Sequence, residues 1–198
     1  MSDRITWYGH SALALDINGR QVLIDPFLSK NPAGCVQAED LDPEFILVTH
    51  GHGDHLGDTI SIAKRTDALV ISNFEISEWL RAKGIRTHGQ HIGGGYRHPF
   101  GYVKLTQALH GSMLPDGSNG GNPVGFLITT LSGHKIYVSG DTGLFYDMKL
   151  IGIEGIDLAV LPIGDNYTMG PADALTAVKL LEPTYVVPVH YDTWDLIK

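Results

Sequence analysis

The sequence predicts an α/β protein: a four-layer αββα sandwich in which two mixed β-sheets pack face to face with helices outside. Three observations carry that expectation. The order of elements recurs, with strands followed by helix, strand and helix in each half of the chain. Several apolar stretches, such as Glu44 to Thr49 and Ala68 to Ser72, are short and flanked by turn residues, as strands buried inside a sheet are. A chain of 198 residues that is 43% hydrophobic and holds 24 glycines can bury one substantial core between many tight turns. A single domain over residues 1–198 follows.

Taken in order, Ile5 to Ile17 and Arg20 to Asp25 read as strands joined at Asn18-Gly19, a two-residue hairpin signal. Leu13, Leu15 and Ile17 alternate on one inward face. Ser29 to Pro43 reads as an irregular crossing into the strand from Glu44 to Thr49, and Leu56 to Arg65 has helical spacing. Ala68 to Ser72 is the next strand; Asn73 can cap the helix that follows, and Gly84 can end it. Strands are expected near 102–110, 124–131, 135–141 and 157–163, with a short helix near 146–151. Pro171 suits the first turn of a helix from Gly170 to Glu182, which stops before Pro183, and a strand runs from Tyr185 to His190. Gly111 to Pro123, rich in Gly, Pro, Ser and Asn, reads as a loop, either a mobile cover or an idle surface segment.

Bulk properties exclude several functions. A net charge of −8 argues against a nucleic-acid surface, which needs a basic stripe. The N-terminus enters a strand without an apolar signal core, and no stretch approaches membrane-spanning length, so a cytoplasmic protein without membrane insertion is the expectation. Cys35, the single cysteine, cannot form an internal disulfide.

Residues 49–57 read Thr-His-Gly-His-Gly-Asp-His-Leu-Gly, which packs His50, His52, Asp54 and His55 onto a loop between strand and helix. Imidazole nitrogen with carboxylate oxygen suits zinc, manganese or iron better than calcium or magnesium. In an extended loop, side chains at i and i+2 share a side, so His50 and His52 can grip one metal. Asp54 and His55, where the chain turns into the helix, can point to a second. His88, His91, His98 and His134 lie outside any such spacing and are expected to be solvated.

The His-x-His-x-Asp-His pattern resembles the signature of the metallo-β-lactamase superfamily, and the resemblance spans essentially the whole chain. Ile5 to Ala12, Val22 to Phe27, Ala108-Leu109-His110, Ser139 to Gly143 and Leu161 to Asp165 are similar to a branch of uncharacterised prokaryotic metal-dependent hydrolases. That branch resembles L-ascorbate 6-phosphate lactonase and N-acyl-phosphatidylethanolamine phospholipase D. Relatives usually continue through another helix and strand beyond the point where this sequence stops, at Lys198.

The resemblance implies two divalent ions per chain, zinc first with manganese or iron as alternatives. It implies His50, His52 and His110 on one ion, Asp54, His55 and His190 on the other, and Asp141 bridging both. A hydroxide shared by the ions would then attack an ester, lactone or phosphoester of a small metabolite. Di-iron redox relatives carry a carboxylate at the position of His52, so histidine there favours hydrolysis. Asp54, His10 and Asp25 are the candidate catalytic residues. Asp25 would orient a ligand histidine, and His10 would protonate a leaving group or bind an anion, unless it is simply packed. Thr142 is expected to steady Asp141. Asp165, Asn166 and Tyr167 are the substrate-contact candidates, although Gly164-Asp165-Asn166 also suits an Asx turn. The alternatives are a phosphodiesterase acting on nucleotide or phospholipid head groups and a non-catalytic metal-dependent binding protein. A homo-oligomer is compatible with the sequence.

Overall fold

The computed structural model describes residues 3–197. Among the described residues twelve strands form two six-stranded sheets. The first runs in spatial order β1 (Arg4–Trp7), β2 (Leu13–Ile17), β3 (Arg20–Ile24), β4 (Phe45–Leu47), β5 (Leu69–Asn73) and β6 (Thr87–Gln90). The second runs β7 (Gly95–His98), β8 (Gly101–Gln107), β9 (Val124–Thr130), β10 (Lys135–Val138), β11 (Leu158–Pro162) and β12 (Tyr185–Val189). Each sheet begins antiparallel and ends parallel: β1 to β3 and β7 to β10 pair antiparallel, while β3 to β6 and β10 to β12 pair parallel. Parallel pairing needs crossovers. In the first half they include α1 (Gly53–Leu56), α2 (Thr59–Thr66) and α3 (Phe74–Arg81); in the second, α4 (Met148–Gly152) and α5 (Pro171–Leu181).

Strand alternation sorts the apolar side chains into three layers. Phe45 and Leu47 of β4 meet Phe126 and Ile128 of β9 between the sheets, whereas Ile46 points the other way, towards Ile62 of α2 and Leu80 of α3. In the second sheet Ile136 and Val138 face the shared core, while Tyr137 packs with Met148 of α4 and Leu181 of α5. The four-layer αββα sandwich is therefore the observed fold. Among the described residues no helix is long and apolar enough to cross a membrane.

Differences from expectation fall where backbone geometry overrides pattern. The strand expected from Ile5 to Ile17 is two strands, because Gly9 and His10 adopt positive φ (99° and 51°) and reverse the chain. The helix expected from Leu56 to Arg65 is broken between α1 and α2 at Gly57 and Asp58. There Asp58 turns its carboxylate to the backbone N–H groups of Leu28 and Ser29, both at 2.9 Å. Strands β6 and β7 have no sequence signal, being four-residue, glycine-containing edge strands whose pairing comes from β5 and β8. The segment 111–123 is pinned rather than loose: Leu114 is buried in the first outer layer, Ser112 Oγ accepts from Gly51 N–H, and Asn73 holds the Gly120 and Asn122 carbonyls. His98 is buried, not solvated, with its ring stacked on Phe100.

Candidate metal centre

The carboxyl ends of β3, β4, β8, β10 and β12 meet at one edge of the sandwich, where the two sheets approach each other. Open α/β sheets place their chemistry at such ends. Two backbone bonds lash the sheets together here, Val124 N–H to the Thr49 carbonyl and His190 N–H to the His10 carbonyl, both at 3.0 Å. Gly140, one residue before Asp141, sits at φ 62°, and a Cβ there would lie 2.9 Å from both Thr49 Cβ and the Val124 carbonyl. Only glycine permits that approach.

The motif loop is organised by Asp25, which lies just beyond β3 at φ 44° and is fully buried. Its Oδ1 accepts from Thr49 N–H at 2.8 Å, and its Oδ2 accepts from the Thr49 hydroxyl at 2.6 Å and from His55 Nδ1 at 2.8 Å. The Thr49 hydrogen being committed to Asp25, its oxygen accepts from His50 Nδ1–H at 3.0 Å. Each imidazole is thereby engaged at Nδ1 with its Nε2 facing inward, the His50 Nε2 lying 3.0 Å from His52 Nδ1.

Three sets of donor atoms converge: His50, His52 and His110; His10, Asp54, His55 and His190; and His50, His55 and Asp141. Asp141 Oδ2 is central, at 3.0 Å from His190 Nε2, 3.2 Å from His55 Nε2 and 3.6 Å from His110 Nε2. Asp54 Oδ2 lies 3.7 Å from His190 Nε2 and 3.8 Å from His55 Nε2. Burial opposes charge throughout, and at His55, His190 and Asp141 the neighbours overcome it. Asp141 and Asp25 carry the His55 pKa well above its ordinary value; Asp141 and Asp54 lift His190 to about 9; and His55 and His190 hold the Asp141 carboxyl well below the usual range. Burial, reinforced by His55, keeps His50 neutral.

This donor set fits divalent metal. Among the described residues His55 Nε2 and Asp141 Oδ1 are buried without a hydrogen-bond partner. A lone pair aimed at a carboxylate 3.2 Å away needs a cation between them, either a proton or a metal ion.

His10 is fully buried, at φ 51°. Its Nε2 bonds Asp54 Oδ2 at 3.1 Å and its Nδ1 bonds Thr193 Oγ1 at 2.8 Å, so it stands behind Asp54 rather than in the cleft wall. Tyr167 lines the cleft, with His52, Asp54, His110, Asp141, His190 and Trp194. Asp165 and Asn166 do not line it; they form a tight exposed turn at φ 59° and 49°, with Asp165 Oδ1 accepting from Asn166 N–H. Thr142 does not bond the Asp141 carboxylate. Its hydroxyl accepts from Leu109 N–H and donates to the Gly143 carbonyl, tying the loops that follow β8 and β10. Sequence reasoning missed Thr49, Thr193 and Trp194. Thr49 had a signal in its place beside His50, whereas the two others lie in a tail with no pattern.

Fold and site together define the class: a metal-dependent hydrolase of the metallo-β-lactamase superfamily. The chain belongs to the family described as the beta-lactamase superfamily domain, whose model matches residues 20–191. It is 49% identical over 200 residues to a UPF0173 metal-dependent hydrolase of Anoxybacillus flavithermus, covering 98% of this chain and 88% of the relative. The solved structure of a metallo hydrolase from the archaeon Ignicoccus hospitalis superposes with a TM-score of 0.91 at 37% identity, covering 99% of this chain and 85% of the other. An isothiocyanate hydrolase from Delia radicum gut bacteria shares the fold, with a TM-score of 0.77 at 24% identity over 98% of this chain and 86% of the other.

Proposed function

We propose that this protein is a binuclear hydrolase that cleaves an ester, lactone or phosphoester of a small metabolite. In this reading His50, His52 and His110 would hold one divalent ion, Asp54, His55 and His190 would hold the second, and Asp141 would serve both. The observation that carries it is Asp141 Oδ2, set within 3.0–3.6 Å of three imidazole nitrogens contributed by both candidate groups. Zinc suits the donor set, and manganese or iron would also be accepted.

Held there, divalent ions would supply Lewis acidity, lowering the pKa of water and steadying charge on the departing oxygen. The chain's residues do the rest. Asp25 holds His55 directly and His50 through Thr49, so their Nε2 atoms are oriented before a metal arrives. His10 donates from Nε2 to Asp54 while Thr193 donates to its Nδ1, fixing the carboxylate. Because His10 is fully buried, its part is to position Asp54 rather than to protonate a leaving group. Tyr167 and Trp194 wall the cleft and displace solvent from a bound substrate. In the overall step water adds its hydroxyl to the acyl carbon or phosphorus, the bond to the leaving oxygen breaks, and the remaining proton ends on that oxygen.

The test is hydrolysis of model lactones, carboxylic esters and phosphodiesters by metal-loaded protein, alongside metal content per chain. Turnover of at least one class, abolished by chelation and by His52→Ala, with about two ions per wild-type chain, is the expected result. No turnover of any class, together with a His52→Ala variant indistinguishable from wild type, would leave a metal-dependent binding protein instead.

A further inference from the structure

The cleft over the candidate metal centre has a composition that selects substrates. Its volume is about 210 Å³, below the usual range for drug-sized ligands. Its floor is His52, Asp54, His110, Asp141 and His190, and its walls are Tyr167 and Trp194. None of these lining residues is a lysine or an arginine. A phosphate or carboxylate carried away from the reacting bond would therefore lie against two aromatic rings with no lysine or arginine to pair with it.

The Trp194 ring is held in place, and so is the backbone turn that carries Tyr167. The Trp194 indole meets the His10 ring edge-on at 4.9 Å and lies 6.1 Å from the Phe27 ring, while remaining 39% exposed. Tyr167 is 53% exposed on a turn with two successive left-handed residues, Asp165 and Asn166. That turn is fastened by Asp165 N–H to the Met169 carbonyl and by Met169 N–H to the Thr142 carbonyl, beside Asp141. Backbone strain of this kind persists where the surroundings enforce it, and here it presents one aromatic side chain to the cleft. The apolar character continues outward: Leu109, 53% exposed, adjoins His110, and Met113, 62% exposed, follows Ser112, which anchors the motif loop.

We infer that the site takes small uncharged carboxylic esters or lactones bearing an aryl or branched alkyl group, which packs between Tyr167 and Trp194, rather than phosphorylated metabolites. This rests on the hydrolase reading above and narrows it. Stacking on the held Trp194 ring contributes binding without the cost of ordering a flexible side chain.

Two measurements on the metal-loaded protein separate this inference from the reading it rests on. The first is calorimetric binding of phenylacetate against acetate, two carboxylates that differ by the aryl group. Phenylacetate is expected to bind at least tenfold more tightly. Trp194→Ala and Tyr167→Ala should each reduce that preference to threefold or less, Tyr167→Phe should retain it, and metal content per chain should stay at the wild-type value. The second is kcat/KM for phenyl acetate against phenyl phosphate and bis(4-nitrophenyl) phosphate, with the carboxylic ester expected to lead by tenfold or more. Equal binding of the two carboxylates, or a tenfold lead for a phosphoester, overturns the inference. Preferential phenylacetate binding without turnover of any ester would sustain the aromatic site and remove the hydrolase reading.

Discussion

Three residues that organise the centre, His10, Asp25 and His190, are non-glycine residues held at φ 51°, 44° and 57°. Each such residue costs on the order of 1 kcal/mol or more, so the surroundings must enforce it. For His10 the enforcement is visible: its carbonyl accepts from Trp7 Nε1 at 2.9 Å and from His190 N–H at 3.0 Å, while its ring bridges Asp54 and Thr193. Replacing it with alanine should lower affinity for the ion nearest Asp54 by roughly 10–100-fold. His10→Gln should recover part of that loss; equal metal titrations for wild type and alanine variant would refute the positioning role. The centre should also exchange protons for metal. His190, with a pKa raised to about 9, carries its proton at pH 7 in metal-free protein, and an ion needs the bare nitrogen. Metal loading at pH 7 should therefore release protons, and apparent affinity should climb as pH rises towards 9. Calorimetry in buffers of different ionisation heat would reveal the release, and identical heats would count against it. At this scale the sequence was informative where spacing is local, since His50, His52, Asp54 and His55 converge as their cluster suggests. It was uninformative about Thr193 and Trp194, whose relevance depends on a tail folding back beside His10.

Elements join the centre through their ends, and α3 shows how. Asn73 ends β5 and caps α3, its Oδ1 accepting from Ile76 N–H at 2.8 Å while its Nδ2 donates to the Gly120 and Asn122 carbonyls at 2.7 and 2.8 Å. One buried amide thus fastens a strand, a helix and the loop flanking the motif. Asn73→Ala should destabilise the protein by about 2 kcal/mol, combining a lost cap with buried carbonyls left unpaired. Amide hydrogen exchange over residues 111–122 should quicken more than elsewhere; an effect confined to α3 would mean the loop is held by other contacts. The cap itself was legible in the sequence, because asparagine before a helical apolar stripe has a local signature. Its bonds to the loop were not, since they span 47 and 49 residues and leave no periodicity. The same division holds for the strands. Those with alternating or fully apolar stretches, from Leu13 to Val189, could be anticipated, whereas β6 and β7 exist only because a neighbouring strand satisfies their backbone.

On the scale of the whole molecule, the two sheets share one core, and a histidine is buried in it. His98 is 4% exposed, stacks on Phe100 at 5.6 Å and 9°, and meets Phe45 at 6.5 Å. Other groups around it are His88 and Tyr96, with ring centroids 5.0 Å away in each case. Burial, followed by the nearby His88, pushes its pKa down to about 4, and its Nε2 has no hydrogen-bond partner among the described residues. A histidine with a depressed folded pKa contributes stability that is intact above its unfolded value near 6.5 and is lost as pH falls towards 4, because the unfolded chain takes up the proton first. The full shift corresponds to about 3 kcal/mol, and partial relaxation of the site should leave roughly 2 kcal/mol. Acid will also protonate the metal centre, so wild type alone cannot isolate the term. His98→Phe conserves the stacked ring and removes the titrating group. Between pH 7 and pH 4, in metal-free protein, the stability difference between variant and wild type should therefore move by roughly 2 kcal/mol in favour of the variant. Denaturant midpoints measured across that window would decide it: curves for the two proteins that run parallel would mean His98 titrates in the folded core as it does in the open chain.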